Sequence, residues 1–302
     1  MRFNGLDLNL LVALDALITE RSVSEAAARI GLTQSAMSSA LGRLREYFGD
    51  NLLVNVGRRM VLTPRGEALA GPVHDTLLQI STMIARPPEF EPAQSTRGFN
   101  IIASDYMIRV ALGKVLARVS AEAPHISFVI SALDDQPAAR LERAEVDLLI
   151  TAEPYLSDGH PFAVLFEEDY VVVAWEGNKR FAQGPLDAEA YKAMAHVVVN
   201  HGRSRVPTFE TAYVKSVGGQ RRVEVVAPAF TDVGDLLIGT QRISTVHRRL
   251  ARLICAEGPL VMHELPFTIP TLRLAVQWHH INRNDQELRW LLDILIEECA
   301  TA

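Results

Sequence analysis

The apolar residues of this chain change their period near residue 97, and that change restricts the fold more than any single motif. Before it, Leu10, Leu11, Leu14, Leu17 and Ile18 recur at helical spacing, and so do Leu69, Val73, Leu77, Ile80 and Ile84. After it, short β-rich runs take over: FNIIAS, ISFVIS, VDLLIT, YVVVAW, HVVVN, RRVEVVA, RISTV and LRLAVQW. Helical stretches separate several of them, notably DYMIRVALGKVLARVSAEAP, DQPAARLERAE, one starting near Asp232 and a last one over 285–298. Between the two regimes lies PEFEPAQST, polar and proline-rich, as interdomain linkers are. A helical head joined to an α/β body follows, and 302 residues are enough for both. Ligands of such α/β sheets sit beyond the carboxyl ends of strands.

The head can be read in more detail. Residues 7–20 form one helix. Ser22 caps a second helix reaching Ile30, with Glu25 three residues on, and Gly31 ends it. Thr33 caps a third helix reaching Phe48. NLLVNV and MVL flank Gly57-Arg58-Arg59 as a hairpin, and Thr63-Pro64 opens a fourth helix. That helix carries Pro72, which should bend or loosen it, and ends at Arg86-Pro87-Pro88. Its apolar stripe has no evident partner in so small a head, so a second copy of the chain is a good candidate.

Ala27 and Gly31 give the second and third helices a tight corner. Ile30, Leu32, Met37, Leu41 and Leu44 are the residues expected to pack them together. The third helix opens with Thr33, Gln34, Ser35, Ser38 and Ser39, and serine is a mediocre helix former. Small hydroxylic side chains make sense where a helix must come close to a polar partner such as a DNA groove. Spacing alone leaves an ordinary helical hairpin equally open, and the arginine-tipped β-hairpin tilts the balance towards nucleic acid. Arg43 and Arg45 fit either phosphate contact or a solvated surface. Residues 1–66 hold eight arginines and six acids, whereas the rest holds 22 basic and 30 acidic residues, so the net −6 hides a slightly basic head.

Other classes find little support. No apolar stretch of membrane-spanning length occurs, and the N-terminal helix is interrupted by Asp7, Asp15 and Glu20, unlike a signal peptide. Cys255 and Cys299 lack metal-ligand spacing and read as reduced thiols of a cytoplasmic protein. GxSxG, HExxH, Walker A and GxGxxG are absent; His263-Glu264 lacks a second histidine, and Asp134-Asp135 fits a solvated loop. No enzyme, cofactor or metal is expected.

The run from DLNLLVALDAL to LTPRGEAL resembles the winged helix-turn-helix of LysR-type transcriptional regulators. MRFNGLDLNLLVALDAL, EALAGPV, FEPAQSTRGFNIIASDYM and RISTVHRRLAR resemble the NodD-like branch, which includes regulators of aromatic and chlorinated-aromatic catabolism. The resemblance covers essentially the whole chain. It implies a winged helix-turn-helix at 1–65, a dimerising linker helix and hinge at 66–96, and a periplasmic-binding-protein-like effector domain at 97–302. That domain would have two α/β subdomains, about 97–164 with 268–302 and about 165–267, joined by two crossover strands. The partners implied are double-stranded promoter DNA with an interrupted inverted repeat, a small aromatic effector, further copies in a homodimer or homotetramer, and RNA polymerase.

Carried over by position, the DNA contacts are Thr33, Gln34, Ser35, Ser38, Ser39, Arg43 and the wing residue Arg58. The family usually has proline where Ser35 stands, and an arginine earlier in the wing where this chain has Asn55 and Val56. The effector contacts implied are Ser104, Asp105, Tyr106, Ser131, Leu133, Thr151, Asn200, His201 and Phe230. Ser104 and Asp105 serve equally well as a helix N-cap, and Phe230 as core. Trp278 and His279 either wall the cleft or pack beside it. A small-molecule-binding protein or enzyme of the same fold without DNA binding is the alternative, and a constitutive repressor with a vestigial cleft is a third reading.

Overall fold

In the computed structural model, all residues are described except 1, 4, 5, 58, 86–89, 182, 183, 203–205, 217, 218, 301 and 302. The chain divides into two compact units, Met1–Pro88 and Glu89–Ala302.

In the first unit, α1 (Asn9–Glu20), α2 (Val23–Arg29) and α3 (Gln34–Phe48) are followed by the hairpin β1 (Leu53–Val56) and β2 (Arg59–Leu62) and by α4 (Pro64–Ala85). Local chemistry sets the boundaries. Ser22 Oγ accepts the Glu25 N–H and Thr33 Oγ1 the Ala36 N–H, each satisfying a donor that the helix start leaves open. Gly31 and Gly49 end α2 and α3 at φ +69° and +61°, where a Cβ would be strained. The core gathers Leu14, Leu17, Ala27, Met37, Leu44, Leu52 and Leu53, and each large member contributes about 1.5–3 kcal/mol through burial. Gly66 lets α4 pass against the hairpin's entry: a Cβ there would collide with the Leu52 carbonyl oxygen.

Two expectations change in this unit. Leu32 is exposed and does not pack α2 onto α3; it sits at the corner where the chain turns outward before Thr33. The α4 stripe is not without a partner in the head. Val73 is buried in the head core, Leu69 and Leu77 pack against it, and His74 Nδ1 lies 2.9 Å from Asp15 Oδ1 on α1. A helix crossing α1 buries its own first turns before any second copy is needed. Ile80 is half-buried. Pro72 lies inside α4 without ending it. The expected stop at Arg86-Pro87-Pro88 lies outside the described residues.

The second unit holds two mixed sheets. In the first, β3 (Gly98–Ile102), β4 (Ser127–Ser131), β5 (Leu148–Ala152), β6 (Phe162–Glu168) and β12 (Leu272–Trp278) stand in the order β4-β3-β5-β12-β6. Strands β3, β4 and β5 are parallel, and β12 runs antiparallel to β5 and β6. In the second sheet, β7 (Tyr170–Trp175), β8 (Ala195–His201), β9 (Arg222–Ala227), β10 (Ile243–His247) and β11 (Leu260–His263) give the order β9-β8-β10-β7-β11. The chain crosses between sheets twice, at Asp169 and over 264–271, so the first sheet recovers its β12 from the C-terminal segment. The first crossing falls beyond residue 165, because β6 continues to Glu168.

Helices cover the sheets. The rod α5 runs from Asp105–Met107 through a π turn at Ile108–Leu112 into Gly113–Glu122. The others are α6 (Pro137–Glu142), α7 (Ala188–Ala193), α8 (Phe209–Ser216), α9 (Val233–Leu237), α10 (Arg248–Glu257) and α11 (Gln286–Ala300). Buried valines and leucines such as Val171, Val173, Val197, Leu148 and Ile150 form the continuous apolar runs of strands covered on both faces. No described helix is long and apolar enough to cross a membrane.

Candidate nucleic-acid face and effector cleft

On α3, the buried residues Met37, Ala40, Leu41 and Leu44 recur every three or four positions, so the opposite face points away from the head. That face carries Gln34, Ser35, Ser38 and Ser39, all exposed, with exposed Thr33 at its cap. Thr33 Oγ1 and Ser35 Oγ are 3.0 Å apart, which ties the first turn together. Four small or amide side chains there let a helix seat deeply in a groove and hydrogen-bond base edges or phosphates. Arg43 is exposed but its guanidinium already lies 3.4 Å from Asp7 Oδ2. Arg45 is a structural pin: Nε donates to the Asn51 carbonyl at 2.8 Å and Nη2 to the Leu53 carbonyl at 2.7 Å, holding the hairpin against the end of α3. Arg58 lies outside the described residues.

In the second unit, a cavity of about 590 Å³ opens beyond the carboxyl ends of β3 and β5. Its wall is mostly aromatic and aliphatic. The His247 ring is at the centre, stacked on Tyr106 at 4.2 Å and set 4.9 Å from Phe230 and 5.1 Å from Tyr170, centroid to centroid. Tyr155, Phe209, Leu133, Leu272 and Leu274 extend the apolar surface. Ser104, Thr151, Thr208 and Gln136 provide neutral polar groups, while Asp134, Asp135 and Glu142 make its charged rim acidic. Neither lysine nor arginine lines this cavity among the described residues.

The predicted effector residues separate into three groups. Ser104, Tyr106, Leu133, Thr151 and Phe230 line the cavity. The Tyr106 hydroxyl is nonetheless engaged: it donates to Glu168 Oε2 at 2.5 Å, and Glu168 also faces Arg249 Nη1 at 3.3 Å. Burial first, and then the Glu168 charge, hold the Tyr106 hydroxyl protonated far above the usual phenol range. Ser104 lines the cavity and is also a helix N-cap, its Oγ accepting the Met107 N–H. Asp105 does not reach this wall. Its Oδ2 accepts the Thr231 N–H at 2.7 Å, a latch from the start of α5 to the loop before α9. It lines a neighbouring polar cavity of about 620 Å³ with Arg140, Arg143 and Gly202. There Gly202, at φ +68°, lies so close to Asp135 that a Cβ would displace its carboxylate.

Ser131 and Asn200 line neither cavity. The His201 side chain lies outside the described residues. Trp278 pairs with Leu148 at the start of β5, whereas the cavity lies beyond the end of that strand, so Trp278 and the adjacent His279 are remote from the cleft. Sequence reasoning missed Tyr155, Tyr170, Phe209, His247, Leu272, Leu274 and the α6 residues Pro137 and Ala139. Tyr170, His247 and Leu272 stand at strand ends bordering the two crossings, a position that carries a signal once the crossings are placed.

Two family models match this chain: "Bacterial regulatory helix-turn-helix protein, lysR family" over residues 8–67 and "LysR substrate binding domain" over residues 93–300. The chain belongs to the LysR family of transcriptional regulators. It is 44% identical over 300 residues to the "Nodulation protein D" of Bradyrhizobium sp. (strain ANU 289), covering 99% of this chain and 88% of that one. It is 45% identical to "Nodulation protein D 1" of Mesorhizobium japonicum, covering 99% and 95%. The crystal structure of a probable transcriptional regulator from Pseudomonas aeruginosa is similar at 30% identity and a TM-score of 0.65, covering 97% of each chain. The relatives of this LysR-type regulator are regulators of the same type and not enzymes, and the same holds for this chain.

Proposed function

We propose that this LysR-type regulator binds double-stranded promoter DNA at an interrupted inverted repeat, as a homodimer or homotetramer, and activates RNA polymerase when a small phenolic effector fills the 590 Å³ cleft. The contacts to DNA are Thr33, Gln34, Ser35, Ser38, Ser39 and Arg43 on α3, with Arg58 from the wing. The observation that carries the effector class is the aromatic wall around His247 without a cationic residue among the described lining. A carboxylate ligand would meet no lysine or arginine in the described lining and would face the like charges of Asp134, Asp135 and Glu142, of which Asp134 is bridged to Arg140. A neutral phenol stacks on the rings and uses Thr151, Thr208 or Ser104 for its hydroxyl. The regulated genes on this reading belong to an aromatic or chlorinated-aromatic pathway. The names of the 44–45% identical relatives support nodulation genes as the second reading.

The test is a gel shift with the DNA upstream of its own gene, together with calorimetry against matched phenols and benzoates. Binding that weakens steeply with salt, and heat from phenols alone, are expected. Absence of any shift at low salt sinks the DNA reading, and preference for benzoates sinks the effector class. Ligand binding without any DNA shift would favour the alternative of a binding protein.

A further inference from the structure

Three histidines far from the cleft converge on one point. His160 precedes β6, and His279 and His280 follow β12, 120 residues later for the His160–His280 pair. Their ligand nitrogens all lie within 4.8 Å of one another. The rings crowd together at centroid distances of 4.6 Å (His160–His279), 5.2 Å (His160–His280) and 4.5 Å (His279–His280). His279 is 2% exposed, and the other two are half-buried.

We propose that His160, His279 and His280 form a binding site for one divalent transition-metal ion of the zinc class. Three borderline imidazoles suit zinc, nickel or cobalt and leave a fourth position to water. His160 Nδ1 and His280 Nδ1 are 3.4 Å apart. That is close to the ~3.3 Å edge of a tetrahedron whose nitrogens stand about 2.0–2.1 Å from its centre. The His280 N–H, 3.2 Å from His160 Nδ1, and the Ile281 N–H, 3.3 Å from His279 Nδ1, give way where those nitrogens take up the metal.

The frame behind the imidazoles is already built. Gln277 is fully buried; its Oε1 accepts the Ser157 N–H at 2.9 Å, and its Nε2 donates to the Ser157 carbonyl at 2.7 Å. The Trp278 N–H reaches the Pro161 carbonyl at 3.2 Å. The loop carrying His160 is therefore stapled to the strand that delivers His279 and His280, which lowers the ordering cost of binding. A metal here would pin the start of the turn His280–Asn284, which leads to Asp285, whose Oδ2 holds Arg97 Nη1 at 2.6 Å. The ion would thus brace the entry of the chain into this unit.

Untagged full-length protein, stripped with a chelator, is titrated with Co²⁺ and then with Zn²⁺. The visible d–d absorption of tetrahedral cobalt should appear, saturate at one ion per chain and be displaced by zinc. His160→Ala and His280→Asn should each weaken Zn²⁺ binding tenfold or more in calorimetry, whereas His125→Ala, on an exposed turn, should not. Circular dichroism identifies a variant that misfolds, in which case the other one decides. A wild-type protein without cobalt absorption, or binding undiminished in a folded His160→Ala or His280→Asn variant, overturns the proposal and leaves a hydrogen-bonded histidine cluster.

Discussion

Tyr106→Phe separates two roles that the same residue could play in the cleft. The substitution keeps the ring that stacks on His247 at 4.2 Å and removes only the hydroxyl. That hydroxyl donates to Glu168 Oε2 at 2.5 Å, the short distance of a hydrogen bond to an ionised acceptor. Both partners are buried, at 1% and 2% exposure, so water does not replace the lost donor. Arg249 Nη1 stays 3.3 Å from Glu168 and prevents a fully uncompensated charge. A hydrogen bond to a charged group contributes about 1.5–3 kcal/mol. The effector unit should lose about 2 kcal/mol, or about 4–8 °C in melting temperature for some 200 residues. Differential scanning calorimetry of the full chain reads that loss, and titration with a phenol reads the cleft. Phenol affinity should change less than threefold, because the hydroxyl is turned to Glu168. An unchanged melting temperature with a tenfold or greater loss of phenol affinity would refute the reasoning, since the hydroxyl would then serve the ligand and not Glu168.

Gly66→Ala should destabilise the head by about 1–3 kcal/mol, because the new methyl meets the Leu52 carbonyl oxygen and not a movable side chain; a melting curve equal to the wild type would contradict that close approach. Ser35→Pro places a proline within the first turn of α3, where a backbone N–H has no acceptor inside the helix, so stability should hold to within about 0.5 kcal/mol while selection from randomised operators shifts. An unchanged operator preference would remove the start of α3 from base reading. His196 is buried as the neutral imidazole, its Nε2 on the Tyr191 carbonyl at 2.7 Å, and burial lowers its pKa to about 4. Its unfolded value lies near 6.5, so its contribution is complete above that pH and declines as pH falls towards about 4, a loss of about 3 kcal/mol. Stability against urea should fall across that window, and a folded His196→Asn variant with the same slope would assign the titration elsewhere.

Where a feature depends on residues near one another in the chain, it could be read before any coordinates. Ser22 and Thr33 cap the helices they were expected to cap, and Gly31 turns where a left-handed residue is needed. Features that depend on which surface meets which were less accessible. The α4 stripe has the same spacing whether it meets α1 or another chain, and only the coordinates place Val73 in the head core. Leu32 is apolar and adjacent to Gly31, yet the corner itself points it to solvent. Strand β6, FAVLFEE, does not stand out in the sequence as a strand; its place beside β12 depends on a pairing more than 100 residues away. Most of the cleft wall escaped for the same reason. His247, Tyr170 and Leu272 look like ends of buried strands until two crossings bring them together.

Those crossings are linked by one side chain next to the cleft. Arg248 Nε lies 2.9 and 2.8 Å from the two oxygens of Asp169, in the first crossing, and its Nη1 and Nη2 reach Glu264, at the start of the second, at 2.8 and 2.9 Å. Its hydrogen bond to Glu264 heads the causes that raise the guanidinium pKa, and the same bond lowers that of the Glu264 carboxyl. Arg248 directly follows His247, the residue at the centre of the aromatic wall. The residue next to the centre of the wall therefore holds both connections between the sheets. Asp169 and Glu264 are substantially exposed, so neither bridge adds much stability alone. Their joint effect is geometric: two planar carboxylates, one in each crossing, fix the guanidinium from two sides.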